Sequence, residues 1–483
     1  MPPRPSDLAT GTDLAASYGP ALDRAHDLAS AYLADLRSRP VSQQVTPAGM
    51  AARLDEPLPE QGVAAEAAVA EWFARAEPGI VASTGPRYFG FVLGGAVPAA
   101  VAGDWVASVI DQNRGLWMAS PAAAQTEVVV LRWLAELFGL PSAWTGTMTS
   151  GATMANMVGL AAGRQWAAAR LGFDAAADGL AGHPPIAVVS STEIHASARK
   201  ALANLGLGRN AVRAVPAPTG AIDLAAFDAT LSGIDGPVIV VANAGEVNGG
   251  AFDDLAAMAD RCATHAPGAW LHVDGAFGLF ARLDARTRHL LDGIERADSV
   301  GSDGHKWLNV PYDSGFAFVR DQSALTGAFG VGAAYLTRAS TEAVALDERV
   351  PEMSQRFRAL PVWCALKSLG REGYQQVVRR CNDNAAAFGA WVTGQPDLEL
   401  VDPTVINIAC FRVAPAGTSA DEQDALTRET VARVQASGDA VVTGTARRGR
   451  AAIRAAFDNW LTTDADVAML QAAVRTAVDG ATA

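Results

Sequence analysis

Four short runs, Ile186-Ala187-Val188-Val189, Val238-Ile239-Val240-Val241, Trp270-Leu271-His272-Val273 and Phe316-Ala317-Phe318-Val319, are apolar throughout except for His272. A strand with one wet face alternates apolar and polar residues, whereas unbroken apolar runs suit strands covered on both faces. Alanine-rich stretches of helical periodicity separate the runs, so 86–370 reads as an α/β unit around a mostly parallel sheet. Upstream, Leu14, Leu22, His26, Leu28, Leu33 and Leu36 recur at helical spacing until Pro40, which predicts a helix over 14–38. Proline and glycine then punctuate the chain as far as Phe89, and the first boundary falls near residue 85. A helical stretch over 362–392, strand-like 405–411 and 451–454, and a closing helix over 464–478 make 371–483 a smaller α+β domain. Ligands of open α/β sheets gather beyond the carboxyl ends of the strands, which directs attention to the residues that follow each run.

Composition narrows the function. The chain has 483 residues, of which 50% are hydrophobic and 18% charged, a balance that excludes intrinsic disorder. A net charge of -13 repels phosphate backbones and acidic bilayers, so neither nucleic acid nor a membrane is an expected partner. The four cysteines, at 262, 364, 381 and 410, form no CxxC pair and read as free thiols of a reducing compartment. No leader-like segment opens the chain and no run approaches the roughly 20 apolar residues of a membrane span, so a cytoplasmic protein is expected. Common catalytic signatures fail as well. Gly206-Leu207-Gly208 meets Ala211 where a dinucleotide fingerprint needs its third glycine, no lysine follows a glycine as a P-loop requires, and neither HExxH nor a glycine-serine-glycine elbow occurs. No metal site is expected.

Three segments join a strand end to a reactive residue. Thr149-Ser150-Gly151-Ala152-Thr153-Met154-Ala155-Asn156 is small and hydroxylic and runs into a helix that continues to about Arg170. Its free N–H groups and the Ser150 and Thr153 hydroxyls suit an anion, and an ordinary helix cap fits the same residues. In His272-Val273-Asp274-Gly275-Ala276-Phe277-Gly278 a carboxylate ends an apolar run, either as a functional group or as a turn former. In Asp298-Ser299-Val300-Gly301-Ser302-Asp303-Gly304-His305-Lys306-Trp307-Leu308-Asn309, one of only three lysines lies between histidine and tryptophan. A desolvated lysine can attack an aldehyde carbon. A lysine for the aldehyde, a carboxylate for a pyridine nitrogen and a helix start for a phosphate are the three fixtures that pyridoxal phosphate needs.

With these segments the chain resembles the group II pyridoxal-phosphate-dependent amino-acid decarboxylases, which include the aromatic-L-amino-acid and glutamate decarboxylases. The likeness runs from about residue 21 to the end and is most specific over 298–315, through His305-Lys306-Trp307-Leu308 and Pro311-Tyr312-Asp313-Ser314-Gly315. It implies fold type I of the pyridoxal enzymes: an N-terminal helical segment (1–85) that embraces a partner subunit, a large cofactor-binding domain (86–370) and a small C-terminal domain (371–483). It implies a homodimer with active sites at the interface. Lys306 would hold the cofactor aldehyde, Asp274 would pair with the pyridine nitrogen, His195 would stack on the ring and Ala276 would lie under it. Ser150, Gly151, Ala152 and Thr153 would meet the phosphate, with His305 and Asp303 alongside. Tyr335, after Thr326-Gly327-Ala328-Phe329, matches the loop tyrosine that reprotonates the substrate carbanion, where aldehyde-forming relatives have phenylalanine.

The pattern also has departures. Animal aromatic decarboxylases have a threonine pair where this chain has Glu246-Val247, and an asparagine where it has Asp303. Asn248 is expected to take over the polar role of the missing threonine, and Asp303 to reach the phosphate through water or to orient His305. Phe91 and Leu93, with Trp117 of a partner subunit, would form an apolar substrate pocket, which Gly115 would open by replacing a phenylalanine. The expected reaction is decarboxylation of an L-amino acid, aromatic first, to its amine. An aminotransferase, an aldehyde-forming deaminase and a non-enzymatic scaffold protein are the rivals.

Overall fold

The computed structural model describes residues 14–331 and 345–482. Its larger sheet has seven strands: β1 (Thr145–Thr149), β2 (Ala187–Ser191), β3 (Val212–Val215), β4 (Val238–Asn243), β5 (Ala269–Asp274), β6 (Ser299–Asp303) and β7 (Gly315–Val319). They lie in the order β1-β7-β6-β5-β4-β2-β3, and only β7 runs against the others.

The unbroken apolar runs have the expected cause. Along β4, Val238, Val240 and Ala242 enter one hydrophobic core while Ile239 and Val241 enter another on the opposite face. The second core is closed by helix Ala152–Arg170 through Ala155, Val158 and Ala162, and by helix Ala196–Asn204 through Ala198 and Leu202. On β5, Trp270 belongs to this helix-covered face. By the two-residue strand period, His272 and Asp274 share that face with it. The β4 to β5 register pairs Asn243 with Asp274, so the reactive carboxylate ends its strand level with its neighbour.

A second sheet, β8 (Leu398–Leu400), β9 (Ile408–Val413), β10 (Thr443–Arg447) and β11 (Arg450–Ala456), is antiparallel in the order β10-β11-β9-β8. Helices Ala420–Ser437 and Asp464–Thr482 accompany it. The expected boundary at 370 falls inside helix Ala359–Thr393, at Gly370, whose φ of 62° interrupts the helical backbone. Side chains of this helix as far as Cys381 pack in the large-sheet core, and those from Ala385 onward pack in the small-sheet core. One helix therefore ties the two sheets together.

The N-terminal helix spans Leu14–Asp35. Four further α-helices, Pro47–Leu54, Ala65–Ala76, Pro98–Ile110 and Pro121–Phe138, follow it before the large sheet begins. No helix among the described residues is long and apolar enough to cross a membrane.

Candidate active site

A cavity of about 440 Å³ opens beyond the carboxyl ends of β2, β4 and β5. His195 reaches it from the segment after β2, Gly245, Glu246 and Val247 from the loop after β4, and Asp274, Ala276 and Phe277 from the end of β5. Lys306 enters after β6, and Tyr88, Phe91, Val92 and Leu93 close one side. Arg454 arrives from β11, so the small sheet completes the wall. Phe91 sits on this wall with φ of 55°, left-handed backbone that an aromatic residue seldom adopts.

Lys306 is half-buried, with Nζ 2.9 Å from Asp303 Oδ2 and 5.7 Å from the Phe277 ring centre. Asp303 ends β6 and is surrounded by hydrogen-bond donors. Its Oδ1 accepts from the Ala152 N–H, the first of helix Ala152–Arg170, and lies 3.2 Å from His305 Nε2. Gly151 makes this packing possible, since a Cβ there would lie 2.8 Å from His305 Cε1 and 3.1 Å from Asp303 Oδ1. His305 Nδ1 accepts the Ser314 N–H at 3.3 Å, and its ring stacks on Tyr312 at 4.1 Å. With Nδ1 accepting, the proton of the neutral ring rests on Nε2, facing Asp303. Burial lowers the His305 pKa against the opposing pull of Asp303. The expected link from Asp303 to His305 is thus present, and the same carboxylate also caps the helix start and pairs with Lys306.

His195 is the N-cap of helix Ala196–Asn204. Its Nδ1 accepts the Ser197 N–H at 3.2 Å and lies 2.7 Å from Ser197 Oγ. Burial lowers its pKa, opposed by the nearby Asp274. A neutral ring with its proton on Nε2 is the form that satisfies Nδ1. Asp274 accepts from Asn156 Nδ2 at 2.8 Å through Oδ2 and from the Ala276 N–H at 3.2 Å through Oδ1. Arg454 is buried, donates from Nη1 to the Val247 carbonyl at 2.6 Å, and leaves Nε without a hydrogen-bond partner among the described residues. Asp458 is fully desolvated beside this wall. Burial pushes its carboxyl up to about 7, with the Lys306 charge pulling the other way.

The fold gathers Lys306, His195, Asp274, Ala276, Phe91 and Leu93 on one cavity, and sets Asp303, His305, Gly151 and Ala152 in direct contact with that group. Ser150 is half-buried and Thr153 exposed at the same helix start. One expectation meets a different arrangement. Asn248 does not line the cavity: its Oδ1 accepts from Thr445 Oγ1 at 2.7 Å, and its N–H donates to Glu246 Oε2 at 2.7 Å. Glu246 accepts from the Gly249 N–H as well, so this carboxylate holds its own turn. Trp117, expected to act on a partner's cavity, does not line the cavity of its own chain. Gly115 answers to local packing, because a Cβ there would lie 2.4 Å from the Met353 carbonyl oxygen. Tyr335 lies outside the described residues.

Asn156, Tyr88, Asn243 and Arg454 were not singled out from the sequence. An arginine within Ala451-Ala452-Ile453-Arg454-Ala455-Ala456, and an asparagine inside an alanine-rich helix, are the signals that mark two of them.

Known proteins share this arrangement of elements. Residues 47–414 match the family model described as the pyridoxal-dependent decarboxylase conserved domain. Tryptophan decarboxylase 1 of Oryza sativa subsp. japonica is 30% identical over 467 residues, which cover 91% of this chain and 89% of that protein. Phenylacetaldehyde synthase of Arabidopsis thaliana is 26% identical over 460 residues, covering 91% of each. The crystal structure of Oryza sativa TDC with PLP and tryptamine superposes with a TM-score of 0.89 at 28% identity, over 99% of both chains. A domain match across most of the length, together with relatives aligned nearly end to end, leads to one conclusion: the chain belongs to the pyridoxal-dependent decarboxylases, carboxy-lyases of fold type I that use pyridoxal phosphate.

Proposed function

We propose that this protein removes the α-carboxylate of an aromatic L-amino acid and releases the amine and carbon dioxide. The observation that carries the reading is the convergence of the Lys306 amine, the Asp274 carboxylate and the His195 imidazole on one cavity. The residues fit the cofactor: on the cavity an amine for its aldehyde and a buried carboxylate for its ring nitrogen, and beside it, joined through Asp303, a helix start with little side-chain bulk for its phosphate. When bound, pyridoxal phosphate supplies an electron sink for the pair left by the departing carboxylate.

The chain's own residues supply the rest. Asp274 would accept the ring N–H and keep that ring cationic, while the neutral His195 would offer a flat face without adding charge. Arg454, without a partner at Nε among the described residues, supplies a cation for the substrate carboxylate. Val92, Leu93 and Phe277 exclude water around the reacting carbon and give an aromatic side chain an apolar seat. Lys306 shuttles a proton as substrate enters and product leaves, and Tyr335 returns the proton to the carbon that lost its carboxylate. The balance is one amino acid and one proton in, one amine and one carbon dioxide out.

The same reading includes a homodimer in which Trp117 reaches the partner's cavity. The apolar face of helix Pro98–Ile110, where Trp105, Val106, Val109 and Ile110 are all exposed, supports it. Aldehyde formation is the second reading, favoured by the likeness to phenylacetaldehyde synthase. Mass spectrometry of products from cofactor-loaded protein and a panel of L-amino acids in air separates the two. An amine lighter than its substrate by carbon dioxide supports decarboxylation, and an aldehyde with ammonia supports the second reading.

A further inference from the structure

Beneath the cavity, Trp270, Ser299, His272, Asn156 and Asp274 form one buried hydrogen-bonded chain. Trp270 Nε1 can only donate, and does so to Ser299 Oγ at 3.0 Å. The single Ser299 proton is then directed to His272 Nδ1 at 2.8 Å. His272 is neutral, because full burial holds its pKa at about 4, so its proton lies on Nε2, 3.1 Å from Asn156 Oδ1. This fixes the direction of the Asn156 amide. Its Nδ2 donates to Asp274 Oδ2 at 2.8 Å and to Ser197 Oγ at 3.3 Å. The Ser197 hydroxyl is in turn 2.7 Å from His195 Nδ1. Reversing the amide would set Oδ1 against the Asp274 carboxylate and the NH₂ group against His272 Nε2–H, losing two bonds and creating two repulsions.

The helix is shaped for this contact. A Cβ at Gly159 would lie 2.6 Å from His272 Nδ1, so only glycine lets the imidazole of β5 approach helix Ala152–Arg170. Asn156, Gly159 and Gly163 share one helix face at spacings of three and four, and Gly163 gives Trp270 the same room.

We propose that Asn156 is a positioning residue that sets the two cofactor-facing groups, Asp274 and His195, in one frame, with Trp270, Ser299 and His272 fixing the direction of its amide. This rests on the pyridoxal reading of the cavity. By donating to Oδ2, Asn156 orients the Asp274 carboxylate and leaves its remaining lone pairs for the ring nitrogen. Through Ser197 it holds His195 in the tautomer with a bare Nδ1. One amide therefore governs both the edge and the face of the bound ring.

Asn156→Asp keeps the size of the side chain and replaces its donor with an acceptor, placing a second carboxylate against Asp274. The expected result is a cofactor dissociation constant raised by about tenfold or more, with a shifted absorption band of the bound cofactor and a kcat that falls more than KM changes. Ser299→Ala is milder and remote. It removes the hydroxyl that directs His272, and the absorption band should shift in the same direction by a smaller amount. Wild-type protein is loaded in parallel and reduced with borohydride, and the cofactor-bearing residue is identified by mass spectrometry. If wild type labels at Lys306 while both variants keep its affinity and absorption band, the positioning role is overturned and the cofactor reading stands. If wild type takes up no cofactor, both are overturned.

Discussion

Two acidic residues next to the cavity have measurable consequences. The Asp303 carboxylate sits on the first N–H of helix Ala152–Arg170, where an incoming phosphate needs donors, and pairs with Lys306. Two anions at about 4 Å repel by several kcal/mol at the effective dielectric of a protein surface. Asp303→Asn keeps an oxygen for the Ala152 N–H and removes the charge, so we expect its cofactor dissociation constant to fall by about tenfold, read by fluorescence titration. A weaker complex would show that the carboxylate aids the phosphate.

Asp458 bears on pH. Its carboxyl rises from an ordinary 3.8 to about 7 on folding, so between those values the folded chain keeps a proton that the unfolded chain releases. Stability from this group is therefore present below the lower value and is lost as pH rises through the window. Asp458→Asn should be more stable than wild type at pH 8 by a few degrees in Tm and nearly equal to it at pH 4, as calorimetry at both values would test. An equal difference at both would refute the assignment.

At the scale of elements, helix Ala152–Arg170 decides how closely strands and site approach. Gly159→Ala places a methyl group against His272, and should cost roughly 1–3 kcal/mol of stability by overpacking along with a loss of cofactor affinity. Gly236→Ala, with nothing within 4 Å of its Cβ, is the control expected to be neutral by denaturant unfolding. The same closeness explains which strands were legible. β2, β4, β5 and β7 announce themselves as apolar runs because both faces are buried. β6 (Ser-Val-Gly-Ser-Asp) packs closely under the helix, and its small and hydroxylic residues read as loop, as do those of β1 (Thr-Gly-Thr-Met-Thr). Reactive groups at strand ends, Asp274 and Lys306, were legible because chemistry and turn residues coincide there. Asn156 and Arg454 depend on partners distant in sequence, Asp274 in one case and Val247 in the other, and a local pattern holds no trace of such pairings.

The whole molecule brings two sheets to one cavity, since Arg454 crosses from the small sheet to the wall beside Lys306. Arg454→Met keeps the length of the side chain and removes the charge. Under the proposed function it should raise KM for the amino acid by about tenfold or more, with a smaller effect on cofactor uptake, in steady-state kinetics. The proposed dimer gives another expectation at this scale. Val109 is 65% exposed on the apolar helix, and Val109→Glu should shift the protein toward monomer in light scattering and lower activity in step. A monomeric variant with full activity would place the whole site within one chain.

The most direct test of the central claim is product analysis by mass spectrometry, with cofactor-loaded wild type and Lys306→Ala offered L-tryptophan, L-tyrosine, L-phenylalanine and L-glutamate in air. The account expects wild type to convert an aromatic substrate to its amine with release of carbon dioxide, and expects Lys306→Ala to lose that turnover. Turnover retained by Lys306→Ala, or aldehyde as the main product of wild type, would contradict it.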